Sequence, residues 1–172
     1  MLKNIWILMF VFVCGLYAQS TAKFKVGTGL LVGFGGVAGV GAEFEMEQMA
    51  ILAGGGTFDG VVGFEIGGRY YFRPVDRKLR PHGTISYAPT HEIKYGNLSN
   101  LDHKALIYGF NFMAGLDHDF GKPGGFIMTY GLGLAVPGSL PQRVQDFYNA
   151  AHQPLPKTDI APTGALGIKY QF

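Results

Sequence analysis

The chain has one cysteine, one tryptophan and few charges. Asp, Glu, Lys and Arg make up 15% of its 172 residues, and the formal net charge is +2. So even a balance excludes a nucleic-acid binder held by a basic face. An apolar content of 48% excludes a disordered chain. Long apolar runs are missing as well. The N-terminal stretch from Ile5 to Tyr17 is 13 residues, short of the ~20 that a spanning helix needs. Val26 to Ala42 is free of charge but carries Gly27, Gly29, Gly39 and Gly41 at period two, which weakens a helix and suits a strand with small residues on one face. The 27 glycines also exclude a long coiled coil, at about 1 kcal/mol per helical glycine. None of the glycine runs opens a helical pattern that would cradle a phosphate.

The first residues read as an address. Lys3 supplies a positive start, Ile5 to Val13 an apolar centre, and Leu16-Tyr17-Ala18 a small residue before polar Gln19-Ser20. This predicts a secretory signal peptide over 1–18 and a single domain over 19–172. Acylation at Cys14 is disfavoured because Phe12-Val13 offers no small side chain before it. Cleavage after Ala18 would remove the only cysteine, leaving neither a disulfide nor a thiolate metal site.

What is abundant is glycine together with 14 phenylalanines and 9 tyrosines, arranged at period two. Phe126, Met128, Tyr130, Leu132, Leu134 and Val136 alternate with Ile127, Thr129, Gly131, Gly133 and Ala135. Leu106, Tyr108, Phe110, Phe112, Ala114 and Leu116 alternate with Ile107, Gly109, Asn111, Gly115 and Asp117. The C-terminal stretch and the stretch from Val62 to Phe72 follow the same rule. A soluble sandwich turns its bulky face inward, but its wet outer face has no reason to prefer glycine. The cramped interior of a narrow barrel does. The fold class predicted is therefore all-β: an eight-stranded antiparallel transmembrane β-barrel, with bulky residues toward lipid and small or charged ones toward the lumen. Its strands are expected over 22–33, 38–46, 49–58, 61–73, 80–90, 104–118, 125–136 and 160–172.

With a periplasmic N-terminus, the outward connections are 34–37, 59–60, 91–103 and 137–159, and the inward ones 47–48, 74–79 and 119–124. Both long connections then fall on the outer side, as barrels with short periplasmic turns require. In the last of them, Ser139 could cap a short helix with Pro141 in its first turn, and Val144, Phe147, Tyr148 and Ala151 would share a face. Such a helix would be a lid on the rim, a segment folded into the lumen, or a contact surface.

Lumen parity collects Lys23, Lys25, Glu43, Glu45, Glu65, Arg69 and Lys169, with Arg80 and His82. Unpaired charges in a narrow lumen would be costly, so a plugging ion-pair network is expected in preference to a ring lining an open pore. Above it, small residues such as Gly39, Gly41, Gly131, Ala161 and Ala165 would leave a pocket open to the exterior. His82 and Ser86, with Asp117 to orient them, form the one Ser/His arrangement of plausible spacing. His91, His103 and His152 read as solvated loop residues. No catalytic, cofactor-binding or metal-ligating set is assigned.

The ending Leu166-Gly167-Ile168-Lys169-Tyr170-Gln171-Phe172 resembles the C-terminal signal read by the barrel assembly machinery, through Leu166, Ile168, Tyr170 and Phe172. The chain as a whole resembles the small Gram-negative outer-membrane barrels of the OmpX and OmpA-barrel type. Gly67 to Arg73, with Arg80-Pro81, resembles small porin-like barrels of the Bacteroidota. The resemblance implies a place in the outer membrane, contact with its lipid, and passage through the assembly machinery. It also implies a role in envelope integrity, surface contact through the outer loops, or support of an envelope complex. A narrow channel or a carrier of a small apolar ligand is the alternative. A lipid A-modifying barrel enzyme is the third reading, although the His-x-Ser of the deacylase pattern does not occur here.

Overall fold

A computed structural model describes residues 23–31, 37–58, 60–72, 78–97, 100–120 and 125–171. The expected signal peptide and the terminal Phe172 lie outside the described residues. Eight strands close into one antiparallel barrel in which each pairs with its sequence neighbours and the first meets the last. They are β1 (Lys23–Leu31), β2 (Val37–Met46), β3 (Met49–Phe58), β4 (Val61–Tyr71), β5 (Leu79–Asn97), β6 (Asn100–Asp119), β7 (Phe126–Pro137) and β8 (Ala161–Gln171). Among the described residues one helix, α1 (Gln142–Ala150), sits in the last connection. Closure gives every strand two neighbours, although β4 and β5 pair along only part of their length, and most strands match the ~9–11 residues that cross a bilayer tilted.

Amphipathicity runs inside out. Val62 is 77% exposed and Leu132 79%, and Phe64, Phe110, Phe112, Phe126 and Ile168 also face outward. Glu45, Arg80, His82, Asp117 and Lys169 are buried. A soluble core would invert both groups. The lumen parity is unbroken from strand to strand, since Glu43 stands opposite Leu52, Ala50 opposite Arg69, Arg69 opposite Thr84 and Arg80 opposite Asp117.

At one end the connections are tight. Glu47 and Gln48 link β2 to β3, with Met46 opposite Met49 and Glu47 at φ 54°. That left-handed conformation favours glycine or asparagine. Here β4 holds the turn in place: the Tyr71 N–H donates to the Gln48 carbonyl at 2.7 Å, and the Tyr70 hydroxyl to Gln48 Oε1 at 2.9 Å.

The other end differs from expectation in one respect. Most of 91–103, expected as a loop, is strand: β5 is 19 residues long and β6 is 20. Their pairing continues to Asn97 opposite Asn100, with register shifts at Pro89/His91 and Tyr95/Asn97. Past Gly109, which faces Pro137, β6 has no β7 partner among the described residues. The two strands therefore rise from the barrel as a ribbon. Thr90 fastens its base by donating to the Ile107 carbonyl at 3.0 Å. A polar two-stranded ribbon lacks the lipid-facing alternation that marks the other strands, which is why its sequence reads as a loop.

Helix α1 leans on this ribbon. Val144 is buried, the Phe147 and Tyr95 rings lie 5.5 Å apart, and Arg143 Nη2 donates to the Lys104 carbonyl at 3.5 Å. The expected Ser139 cap is absent, because the N-cap position is Pro141 and no side chain caps it. Gln145 instead donates back to the Leu140 carbonyl at 2.6 Å. Ala151 is exposed and does not share the packed face.

Candidate functional site

Four strands of even number, β2, β4, β6 and β8, each send one charged side chain to a common point on the barrel axis. Positions at one height of a tilted barrel come from alternate strands, so residues two strands apart meet. Glu43 of β2 accepts from Arg69 Nη1 of β4 at 2.8 Å and from Lys169 Nζ of β8 at 2.9 Å. Asp117 of β6 accepts from Lys169 Nζ at 2.8 Å and lies 3.5 Å from Arg69 Nη1. Two carboxylates thus face two cations, and each charge has an opposite neighbour on two sides.

Tyr71, fully buried, stands in the middle. Its hydroxyl is 2.6 Å from Glu43 Oε1 and 2.8 Å from Asp117 Oδ2. It has one proton to donate, so it bonds one carboxylate at a time. Its ring supports a second layer toward the short-turn end. The Arg80 guanidinium lies 3.7 Å from the ring centroid, a cation–π contact, and Nη1 donates to Glu45 Oε2 at 3.0 Å. Thr84 accepts from Arg69 Nε at 3.0 Å, and the His82 ring packs edge-on against Tyr71 at 5.6 Å. The ring has room because position 115 is glycine: a Cβ there would collide with it and with the Tyr130 carbonyl.

Of the lumen residues picked from sequence, the structure joins Glu43, Arg69 and Lys169 in one cluster, and Glu45 with Arg80 in another. Glu65 lies apart, among the cavity walls described next. The backbone register sets Lys25 opposite Glu43 and Lys23 opposite Glu45, but the lysine side chains lie outside the described residues. Asp117 and Tyr71, absent from the sequence-based network, complete the belt. Both carried the right parity. Nothing in the sequence marks that side chains from β4 and β6 converge with those from β2 and β8. His82 and Ser86 do not form a hydrogen-bonded pair: His82 Nδ1 is 3.2 Å from the Thr84 hydroxyl and Nε2 is 3.3 Å from Asp117 Oδ1.

Above the belt the lumen widens. A cavity of about 170 Å³ is walled by the glycines of β2 to β4 together with Leu52, Met113, Thr129 and Ala165. Glu43, Arg69 and Lys169 form its floor. The glycine walls are apolar in effect, since their N–H and C=O groups are spent in the ladders. Close strand approach needs them: a Cβ on Gly39 would sit 2.5 Å from the Gly55 carbonyl. Among the described residues, none of 138–160 lines the cavity, so the last connection is not folded into it. Leu166, Ile168 and Tyr170 of the C-terminal pattern all face outward, 39–49% exposed.

No protein-family model matches the chain, and no curated protein matches it in sequence. Among solved structures it is similar to the N-terminal β-barrel domain of OprF from Pseudomonas aeruginosa. That match has a TM-score of 0.57 and 16% identity, covering 90% of this chain and 100% of that one. It is also similar to Neisserial surface protein A, NspA, with a TM-score of 0.48 and 9% identity, covering 88% and 96% of the two chains. The OprF likeness establishes a shared barrel fold.

Proposed function

We propose that the protein is an integral barrel of the bacterial outer membrane with a structural or contact role, its lumen closed to solutes by the charged belt. The observation that carries this reading is the convergence of Glu43, Arg69, Asp117 and Lys169 from four alternate strands around Tyr71. Side chains that span the axis leave an eight-stranded lumen no through-path. The ribbon and α1, both at the end away from the belt, supply the surface that would meet an envelope partner. The apolar outer face meets lipid, and the exposed Leu166, Ile168 and Tyr170 fit reading by an assembly machinery before insertion. A nucleic-acid partner has no place in the reading. No catalytic role is assigned to His82, because its ring serves the belt and not Ser86.

Planar bilayers test the closed lumen. The native protein is expected to show no step currents, and Tyr71→Ala to open small ones. Steady conductance by the native protein, lost on Glu65→Gln, would replace the closed barrel with a channel. Recovery in the aqueous extract without detergent would end the membrane assignment itself. The cavity favours a second reading, carriage of a small apolar ligand. An altered acyl pattern of lipid A on expression would favour an enzyme instead.

A further inference from the structure

The barrel wall has a gap in its ladder. Among the described residues, β4 and β5 pair only from Ile66 opposite Tyr87 to Tyr71 opposite His82. Yet β4 runs on to Val61 and β5 to Asn97. Five residues of β4, 61–65, therefore have no β5 partner, a stretch of ~17 Å at 3.4 Å per residue. The cause lies in β5. Continued register would set Phe64 against Pro89, which has no N–H to give. The register shift between Pro89 and His91 then carries β5 off along β6.

Side chains close the gap in place of backbone bonds. Tyr108 of β6 lays its ring against Phe64 at 4.7 Å and against Tyr87 at 5.6 Å. Its hydroxyl takes the Phe64 N–H at 3.2 Å. Pro89 and Leu106 press on Gly63, where a Cβ would lie 2.8 Å from Pro89 Cγ and 3.2 Å from Leu106 Cδ1. On the outer side Val62 and Phe64 are exposed, so the seam faces hydrocarbon and not water. On the inner side Gly63, Phe64, Glu65 and Pro89 belong to the cavity wall. The seam thus separates the bilayer, by a few side chains and one hydrogen bond, from a void that is mostly apolar above its charged floor, with Glu65 in its wall.

We propose that this seam is a lateral door, and that the cavity takes the alkyl chain of a membrane amphiphile entering through it. The proposal rests on the barrel lying in a membrane and extends the carrier reading of the same cavity. A void of roughly 150 Å³ lined by apolar side chains holds one benzene and stays dry otherwise. The volume here, about 170 Å³, suits the end of one chain, on the order of six carbons, and not a whole lipid. The chain enters tail first, because Arg69 and Lys169 on the floor are already engaged by Glu43 and Asp117. The belt then stops the tail and gives the site its depth.

Photolabelling tests this with the full chain folded into phosphatidylcholine vesicles. One arm carries a phospholipid with a terminal diazirine on an acyl chain, and the other a free fatty acid with the same group. Adducts are expected on Leu52, Met113 or Ala165 inside as well as on Leu132 outside. Labelling by both probes identifies the chain itself as the ligand, and labelling by the fatty acid alone identifies a single-chain amphiphile. Ala165→Phe should abolish the inner adducts and spare those on Leu132, with Thr129→Leu as a second filler should the first fail to fold. Tyr108→Phe, which removes the latch hydroxyl, should raise the ratio of inner to outer adducts. Adducts confined to the outer face, or an inner ratio indifferent to Tyr108→Phe, would overturn the door. The absence of outer adducts as well would instead remove the membrane reading on which it stands.

Discussion

The two halves of the lumen use the same inward positions of the same strands in opposite ways. Toward the short turns, Glu43, Arg69, Tyr71, Asp117 and Lys169 meet and fill the axis. Toward the ribbon, glycine, alanine and threonine leave about 170 Å³ unfilled. Strand number sets how much room a barrel has. Side-chain size then decides, layer by layer, whether that room becomes a wall or a void. A change in the belt should therefore cost far more than a change of similar size at a roomier lumen position such as Gly131.

The sharpest test is Glu43→Ala. It leaves Arg69 and Lys169 with Asp117 alone and strands a buried positive charge. A loss of about 3–5 kcal/mol is expected, read as a lowered urea midpoint in lipid vesicles. Tyr71→Phe keeps the ring under Arg80 but deletes the hydroxyl between the two carboxylates. It should cost about 1–3 kcal/mol by the same measurement. Gly115→Ala drives a methyl into the His82 ring and is expected to cost about 1–2 kcal/mol through overpacking. A loss no larger than that for Gly131→Ala would show that the belt tolerates rearrangement.

Smaller effects belong to the other half. Phe147→Ala removes the ring that α1 sets against Tyr95, at about 1 kcal/mol of local docking. Trypsin should then cut sooner at exposed Arg143 while the barrel midpoint holds. Gly131→Ala adds a Cβ with nothing nearer than 3.6 Å and should stay within about 0.5 kcal/mol of native. A large loss there would erase the contrast between the halves.

Period-two patterning made the barrel legible, because each strand had to show one face to lipid and the other to a narrow interior. Glycine marked the interior, and the bulky residues from Val62 to Phe72 marked the exterior. The pattern fails where the lipid ends. Beyond Pro89 the β5–β6 ribbon packs against α1 through residues such as Tyr95, and the run from His91 to His103 shows no regular alternation to read. The belt was legible in its members and not in its partners. Parity put Glu43, Arg69, Asp117 and Lys169 inside, but their meeting depends on strand tilt, which is a property of the closed barrel. The interruption of the β4–β5 ladder was hidden for a related reason. Pro89 is visible in the sequence, but the tyrosine whose hydroxyl accepts the Phe64 N–H beside the break lies 19 residues on, in another strand.

The span from Glu43 to Lys169, 126 residues apart, couples charge neutrality to closure of the barrel. An open sheet in which β1 and β8 had not met would hold Glu43 away from Lys169, and only their pairing brings the two together. Zipping the cylinder shut and discharging its interior are then a single step. That step resists partial reversal, since peeling β8 away would expose hydrogen-bonding groups and ions together.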